Sequence, residues 1–279
     1  MIVDSHTHIF DPTRPQGVPW PNPKDEWLYR TVLPEHVKAA TASSGVTGMV
    51  VIEASAWVED NAWVLDLAAD DPFIVGVVGH LEPGDGAFGR DLDRFAANPL
   101  FRGIRIGAGL VERVDEPAVA ADVERLAAKG LELDVLVQAK HLPAVAALAA
   151  RLPELHIGIN HVAAVFIDGH APNAEWVDGM QAAAAHANVW CKVSALTSMT
   201  RQTPAPTDVA LYAPTLDALW DAFGEDRLVY GSDWPVCARA AEYPVVHRIV
   251  AEYFGAKGEA ASAKYFWQNS KALYGWVER

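Results

Sequence analysis

Two histidines near the start of the chain, His6 and His8, are the residues whose type and spacing point most directly to chemistry. They stand two positions apart in the segment Asp4-Ser-His-Thr-His-Ile-Phe10, so in an extended strand both side chains project to the same side. Two imidazoles placed in this way can hold one divalent metal such as zinc, and a carboxylate would extend the ligand set. We expect Asp233 to supply that carboxylate, with Glu53 as a further candidate ligand. The alternative is a pair of histidines satisfied by backbone hydrogen bonds.

These groups can meet only if the fold brings the two ends of the chain together, and the hydrophobic pattern predicts such a fold. Short β-branched runs alternate with longer stretches of helical pattern rich in Ala and Leu, eight of each in order. Such alternation favours parallel strands joined by crossover helices, and eight units in 279 residues fit one α/β domain, a closed (β/α)8 TIM barrel over residues 1–279. A doubly wound open sheet is the alternative, although no phosphate-cradling glycine motif follows the first strand.

The bounds of the predicted elements follow from this alternation. The predicted strands are Ile2–Ser5, Gly48–Ile52, Phe73–Val78, Gly103–Ile106, Glu132–Val137, His156–Ile159, Val189–Val193 and Leu228–Tyr230. The predicted helices are Pro34–Ser44, Glu59–Asp70, Phe88–Ala97, Pro117–Lys129, Leu142–Arg151, Ala174–Ala187, Asp208–Phe223 and Val245–Phe254, with further helices over Gly255–Tyr274. Two stretches rich in proline break the pattern and are predicted to be long loops over the barrel, Asp11–Leu33 and Thr197–Thr207.

A polar residue follows or ends every predicted strand, at the end where barrel enzymes carry their active sites. In strand order these residues are His6 and His8, Glu53, His80, Arg105, Gln138, His161, Lys192 and Asp233. Strand parity places Arg105 and Lys192 opposite their apolar neighbours, so both cations are predicted to point into the barrel. A charge in such a place needs a partner or a ligand.

The overall composition narrows the class of partner. Lysine and arginine number 22 against 36 aspartates and glutamates, a net charge of −14, so binding to nucleic acid or to a membrane surface is not expected. The first residues run into a polar segment without a secretory hydrophobic stretch, and two cysteines are too few for a disulfide framework. We therefore expect a cytoplasmic protein that acts on a small molecule. Assembly into a homo-oligomer stays open.

Five segments spread along the chain carry a resemblance to a known family. They are Asp4-Ser-His-Thr-His-Ile-Phe10, Arg102-Gly-Ile-Arg105, Asn188-Val-Trp-Cys-Lys-Val-Ser194, Asp226-Arg-Leu-Val-Tyr-Gly-Ser-Asp-Trp-Pro-Val-Cys237 and Asn269-Ser-Lys-Ala-Leu-Tyr274. With these segments the chain resembles the amidohydrolase superfamily, and most of all its amidohydrolase-2 branch, which contains sugar lactonases of the fuconolactonase type. The resemblance implies a (β/α)8 barrel and the hydrolysis of a cyclic ester.

The chain departs from parts of that family pattern. Members with two metals carry a carboxylated lysine or a glutamate on strand four and histidines on strands five and six. This chain has Arg105 on strand four and Gln138 on strand five, and only His161 matches the pattern, at the strand-six position. It is therefore similar to the one-metal or metal-free members. Val162-Ala-Ala follows His161 where the lactonase-like branch often has Gly-Lys-Pro, so we expect a different substrate pocket on that side.

The residues and the resemblance together predict a metal-assisted hydrolase that opens the lactone ring of a sugar acid or a related compound. Asp233 is the expected general base, and His161 is expected to orient the carbonyl or to stabilise the oxyanion. Arg105 and Lys192 are expected to bind a carboxylate or hydroxyls of the substrate. Gln138 is a further candidate for substrate binding, and Trp20 is a candidate for stacking on the sugar ring. The expected cofactor is one divalent metal, zinc, with a metal-free mechanism left open.

Two other functions remain as alternatives at this point. One is a metal-dependent decarboxylase of an unsaturated or aromatic acid, and the other is a non-catalytic carbohydrate-binding barrel. Glu53 also has an alternative interpretation, in which it forms an internal ion pair with Arg105 or Lys192 instead of binding a metal.

Overall fold

Eight parallel strands in the sequential order β1 to β8 form the sheet of the computed structural model, which describes residues 1–279. The strands are β1 Val3–Thr7, β2 Gly48–Ile52, β3 Ile74–Gly79, β4 Phe101–Gly107, β5 Glu132–Leu136, β6 Ile157–Ile159, β7 Val189–Val193 and β8 Leu228–Tyr230. Contacts between β8 and β1 nearly close the sheet, so the predicted TIM barrel is confirmed. The predicted bounds of β2, β7 and β8 are also confirmed, while β1 runs on to Thr7 and therefore includes His6.

Helices alternate with the strands along the whole chain. They are α1 Pro34–Thr41, α2 Val58–Asp70, α3 Phe88–Ala96, α4 Ala108–Val111, α5 Pro117–Ala128, α6 Leu142–Arg151, α7 Ala174–Ala184, α8 Leu196–Met199, α9 Val209–Phe223, α10 Tyr243–Ala256, α11 Glu259–Ala263 and α12 Asn269–Tyr274. The short helix α8 was not predicted, because the prolines that indicated a loop, Pro204 and Pro206, lie beyond it. None of the helices combines the length and the apolar character that a bilayer span requires.

The seam between the first and last strands positions the two ends of the chain against each other. The backbone N–H of His8 donates to the carbonyl of Trp234 at 2.9 Å, and the N–H of Asp233 donates to the carbonyl of His6 at 2.8 Å. These two bonds place residues 6–8 beside residues 233–234. The seam therefore produces the meeting of the chain ends that the sequence predicts.

A buried carboxylate, Asp4, reinforces this seam. Its Oδ1 accepts hydrogen bonds from the backbone N–H groups of His6 at 3.2 Å and Ser232 at 2.9 Å, and its Oδ2 accepts one from the Tyr243 hydroxyl at 2.9 Å. Burial raises the pKa of Asp4 to about 6, against the lowering effect of these bonds. A single side chain thus ties β1 to the segment after β8.

Two apolar clusters stabilise the barrel. The larger one packs outward-facing strand residues such as Ile104, Ile106 and Cys191 against the helices. The smaller one joins residues of β2, β3, β7 and β8 to the end of the chain, where Tyr274 and Trp276 are almost fully buried. Trp190 of this cluster lies on the same face of β7 as the inward-pointing Lys192, so the second cluster fills the barrel interior, and the C-terminal segment packs into it.

Candidate active site

Three imidazoles surround one carboxylate where β1, β6 and β8 end. Asp233 Oδ1 lies 3.3 Å from His8 Nε2, 3.8 Å from His6 Nε2 and 3.8 Å from His161 Nε2. All four side chains are buried. The structure therefore brings together four of the residues that the sequence predicted to form the site.

The hydrogen bonds of His8 show which of its ring nitrogens is free. Nδ1 lies 3.0 Å from the backbone carbonyl of Ile52, and a carbonyl only accepts, so Nδ1 carries a proton. In the neutral ring, Nε2 then presents a lone pair to Asp233 Oδ1 at 3.3 Å. Two acceptors at this distance repel each other unless a cation or a proton lies between them.

His6 has unused donor capacity in the same place. Both of its ring nitrogens are buried and make no hydrogen bond, an arrangement that costs about 1–3 kcal/mol for each unsatisfied group. Burial first, and then the charge of Lys192, hold the pKa of His6 well below its usual value, so the ring is neutral at pH 7 and able to bind a metal.

One atom each of His6, His8 and Asp233 lie within 4.8 Å of one another, close enough to share one ion. Two neutral imidazoles and a carboxylate are a donor set that suits zinc and similar divalent ions. The unpartnered nitrogens of His6 and the lone pair of His8 both favour a bound cation. The three residues therefore fit a site for one divalent metal.

His161 reaches this site from a strained turn. Residues 161–164 have φ values of 51°, 48°, 53° and 55°, in the left-handed region, although none of them is glycine. Such residues cost about 1–3 kcal/mol each and persist where the surroundings hold them in place. Here the indole Nε1 of Trp176 donates to the Val162 carbonyl at 2.8 Å. Burial lowers the pKa of His161 to about 4, so this ring is also neutral at pH 7.

Glu53 lies outside the group of residues that could share one metal ion. Arg105 Nε donates to Glu53 Oε1 at 2.7 Å, and Arg105 Nη2 donates to the Glu53 carbonyl at 2.9 Å. The structure thus has the internal ion pair that was the alternative for Glu53, because Arg105 on β4 reaches past β3 within the barrel. Arg105 stays partly exposed, and its charge contributes to the lowered pKa of His6 and His161.

Lys192 points into the barrel as parity predicts, but it is not available to a substrate. Its ammonium is fully buried and forms an ion pair with Asp134 on β5. The hydroxyl of Tyr274 donates to the other oxygen of Asp134 at 3.2 Å. Gly158 on the intervening β6 leaves room for this pair, because a Cβ there would lie 2.4 Å from Asp134 Oδ1. The expected role of Lys192 in substrate binding is therefore corrected to one in the barrel interior.

The remaining predicted binding residues lie at different distances from the cluster. The ring of Trp20 is 5.6 Å from that of His8 and 5.3 Å from that of Phe10, so Trp20 borders the site. Gln138 is exposed on the turn after β5, where its backbone N–H donates to His141 Nδ1 at 3.1 Å, and it forms no hydrogen bond with the three imidazoles.

Sequence reasoning missed one polar neighbour of the cluster, Ser194. Its Oγ lies 2.9 Å from His161 Nδ1 and accepts from the His161 backbone N–H at 3.2 Å. The residue belongs to the segment Asn188–Ser194 that carries the family resemblance, yet its position directly after β7 was the only signal of its location.

Comparison with known proteins extends the likeness over the whole chain. Residues 3–276 match a family model described as amidohydrolase. An L-fucono-1,5-lactonase of Burkholderia ambifaria is 34% identical over 86% of this chain and 82% of its own length. Another, from Burkholderia multivorans, is 30% identical over 97% of this chain and 94% of its own length. A crystal structure of an amidohydrolase from Burkholderia multivorans with bound zinc has a TM-score of 0.88 and 27% identity, over 99% of both chains.

Proposed function

This chain belongs to the amidohydrolase family, and on that premise we propose that it is a hydrolase that opens the lactone ring of a sugar acid. The observation that carries the proposal is the position of Asp233 Oδ1, 3.3–3.8 Å from the Nε2 atoms of three imidazoles. The similarity of the chain to two proteins named L-fucono-1,5-lactonase favours a lactone as the substrate.

The metal of this site is proposed to be zinc, held by His6, His8 and Asp233. Support comes from the donor set and from the zinc bound in the similar structure. A bound ion would supply a Lewis acid that polarises the lactone carbonyl.

The protein's own groups carry the other parts of the reaction. Asp233 takes a proton from the attacking water as general base, because it is the carboxylate at the centre of the cluster. His161 stabilises the negative charge that develops on the carbonyl oxygen. Both groups are buried, and electrostatic interactions are stronger where little water is present to screen the charge that develops in the reaction.

Substrate binding is assigned to the residues around the cluster. Arg105 is partly exposed and directs its guanidinium to a carboxylate or hydroxyl of the sugar acid. Trp20 packs against the apolar face of the ring, since it already borders His8. Gln138, exposed after β5, contacts a substituent of the substrate at the rim. The cytoplasmic location, the absence of nucleic-acid and membrane partners and any homo-oligomer stay predictions.

Product analysis tests the reaction directly. We expect a panel of sugar lactones, incubated with the protein in weak buffer, to release one equivalent of acid for each ring opened, without carbon dioxide. Carbon dioxide from an aromatic or unsaturated acid, with no lactone opened, would identify a decarboxylase instead. Binding of sugars without any turnover would contradict the proposal in favour of a carbohydrate-binding barrel.

Metal binding gives a second prediction. Protein purified without chelators is expected to hold about one zinc per chain. Loss of a group that only orients a metal ligand weakens metal binding by roughly 10–100-fold, so we expect His8→Ala, which removes a proposed ligand itself, to weaken zinc binding by more than this. Metal analysis after equilibrium dialysis against known free zinc measures this. His80→Ala is the matched control, since this histidine follows β3 outside the cluster and its hydrogen bonds are made by its backbone. Equal zinc content in both variants would remove His8 from the ligand set.

A further inference from the structure

Ser194, directly after β7, contacts both the ring and the backbone N–H of His161. We propose that Ser194 is a positioning residue that fixes the neutral tautomer of His161, with the proton on Nε2, so that the ring donates a hydrogen bond and does not bind the metal. The use of this donor on a lactone carbonyl rests on the proposed function, whereas the tautomer itself does not.

The hydrogen bonds of Ser194 decide where the proton lies. A serine hydroxyl has one proton to donate and two lone pairs that accept. Its Oγ accepts from the His161 backbone N–H at 3.2 Å and lies 2.9 Å from His161 Nδ1, and it has no other partner. The one acceptor within reach of the hydroxyl proton is therefore Nδ1. The opposite tautomer would leave that proton unsatisfied where Ser194 is 1% exposed, at a cost of about 1–3 kcal/mol.

His8 has the opposite arrangement, for the same kind of reason. Its Nδ1 faces the Ile52 carbonyl, which can only accept, so His8 keeps its proton on Nδ1 and presents a lone pair from Nε2. His161 faces a hydroxyl that can donate, so its Nε2 presents a proton. Two imidazoles that point at the same carboxylate are thus prepared for different tasks, one to bind a cation and one to donate a hydrogen bond.

The distance to Asp233 leaves this donor free for a substrate. His161 Nε2 is 3.8 Å from Asp233 Oδ1, too far for a hydrogen bond. The group of atoms able to share one metal contains His6, His8 and Asp233, but not His161. The Nε2–H of His161 therefore makes no hydrogen bond within the protein and is free to donate one to an oxyanion.

Ser194 also holds the backbone from which His161 projects. Its bond to the His161 N–H fixes the first residue of the left-handed turn. Gly231 on the neighbouring strand end leaves the space that this requires, because a Cβ there would come within 3.2 Å of Ser194 Cβ and 2.7 Å of His6 Cβ. Ser194 therefore packs closely against the segment after β8 and against the turn that carries His161.

Nitrogen-15 NMR of the histidine rings tests the tautomer in the wild-type protein, because protonated and unprotonated ring nitrogens differ strongly in chemical shift. At pH 7.5 we expect Nε2 of His161 to be the protonated nitrogen and Nδ1 the unprotonated one, with the signals assigned by their loss in His161→Gln. A proton on Nδ1 in the wild type would overturn the proposal without any variant of Ser194.

Ser194→Ala then tests the cause. In this variant we expect the His161 signals to shift toward a mixture of tautomers. We expect kcat to fall by at least about tenfold and by no more than the roughly 100–1,000-fold that loss of an oxyanion donor costs, while KM changes less and the zinc content is unchanged. Ser5→Ala is the control, because Ser5 is equally buried and its hydroxyl has no partner. An unchanged His161 tautomer in Ser194→Ala would contradict the assignment. If the wild type opens no lactone, the proposed function fails, while the NMR result still decides the tautomer.

Discussion

Asp233→Asn is expected to lower kcat by about 100- to 10,000-fold, because an amide cannot take the proton of the attacking water. Asparagine keeps a carbonyl oxygen for a metal and nearly the same shape. It also tolerates the left-handed backbone at this position, where φ is 67°. Steady-state kinetics on an accepted lactone, with saturating zinc and with the metal content determined, separate loss of the base from loss of the ion.

The matched control for this variant is Asp122→Asn. Asp122 is buried to a similar extent on α5, where its Oδ2 accepts from the Gly84 N–H at 2.8 Å, and it lies outside the cluster. We expect kcat to stay near the wild-type value in this control. Wild-type kcat in metal-loaded Asp233→Asn would show that another group activates the water.

Lys192→Met is expected to reduce the free energy of unfolding by about 3–5 kcal/mol, because it leaves the carboxylate of Asp134 buried without its counter-charge. Burial, followed by the neighbouring charge of Asp134, raises the pKa of Glu132 well above its usual value. The protonated form of Glu132 is thereby favoured, so Asp134 is the counter-charge with which Lys192 pairs. Denaturant unfolding followed by circular dichroism measures the loss.

A second substitution distinguishes the charge from the packing. The double variant Lys192→Met and Asp134→Asn removes both charges and keeps an oxygen that can accept from the Tyr274 hydroxyl, so we expect it to recover a large part of the lost stability. Arg113→Met, which breaks an exposed pair with Glu116, is the control and is expected to change the free energy of unfolding only slightly. A loss as small as this in Lys192→Met would mean that the buried pair contributes little.

The barrel was readable from the sequence because its strands are buried on both faces. Gly48–Ile52 and Leu228–Tyr230 are short, apolar and separated by long helical patterns, and the structure confirms their bounds. The position of the site followed from the rule that polar residues at the carboxyl ends of barrel strands meet. That rule led to His6, His8, His161 and Asp233 before any contact between them was known.

How deep a side chain lies within the barrel could not be predicted from the sequence in the same way. Alternation tells whether a side chain points inward, but not whether it ends at the mouth or beneath it, so Arg105 and Lys192 looked alike in the sequence. Their partners, Glu53 and Asp134, come from strands two places away in the sheet. The left-handed turn after β6 had no sequence signal either, because Val162 is a β-branched residue that disfavours this conformation.

The β1–β8 seam bears on the order in which the proposed metal site forms while the chain is being made. Of the three proposed ligands, His6 and His8 lie at and directly after β1, and Asp233 is synthesised more than 200 residues after them. A nascent chain that lacks β8 holds two histidines but no carboxylate to complete the set. With the proposed ligand set, we expect loading with metal to follow closure of the barrel, and a chain that ends before β8 to hold the ion less tightly than one that includes it.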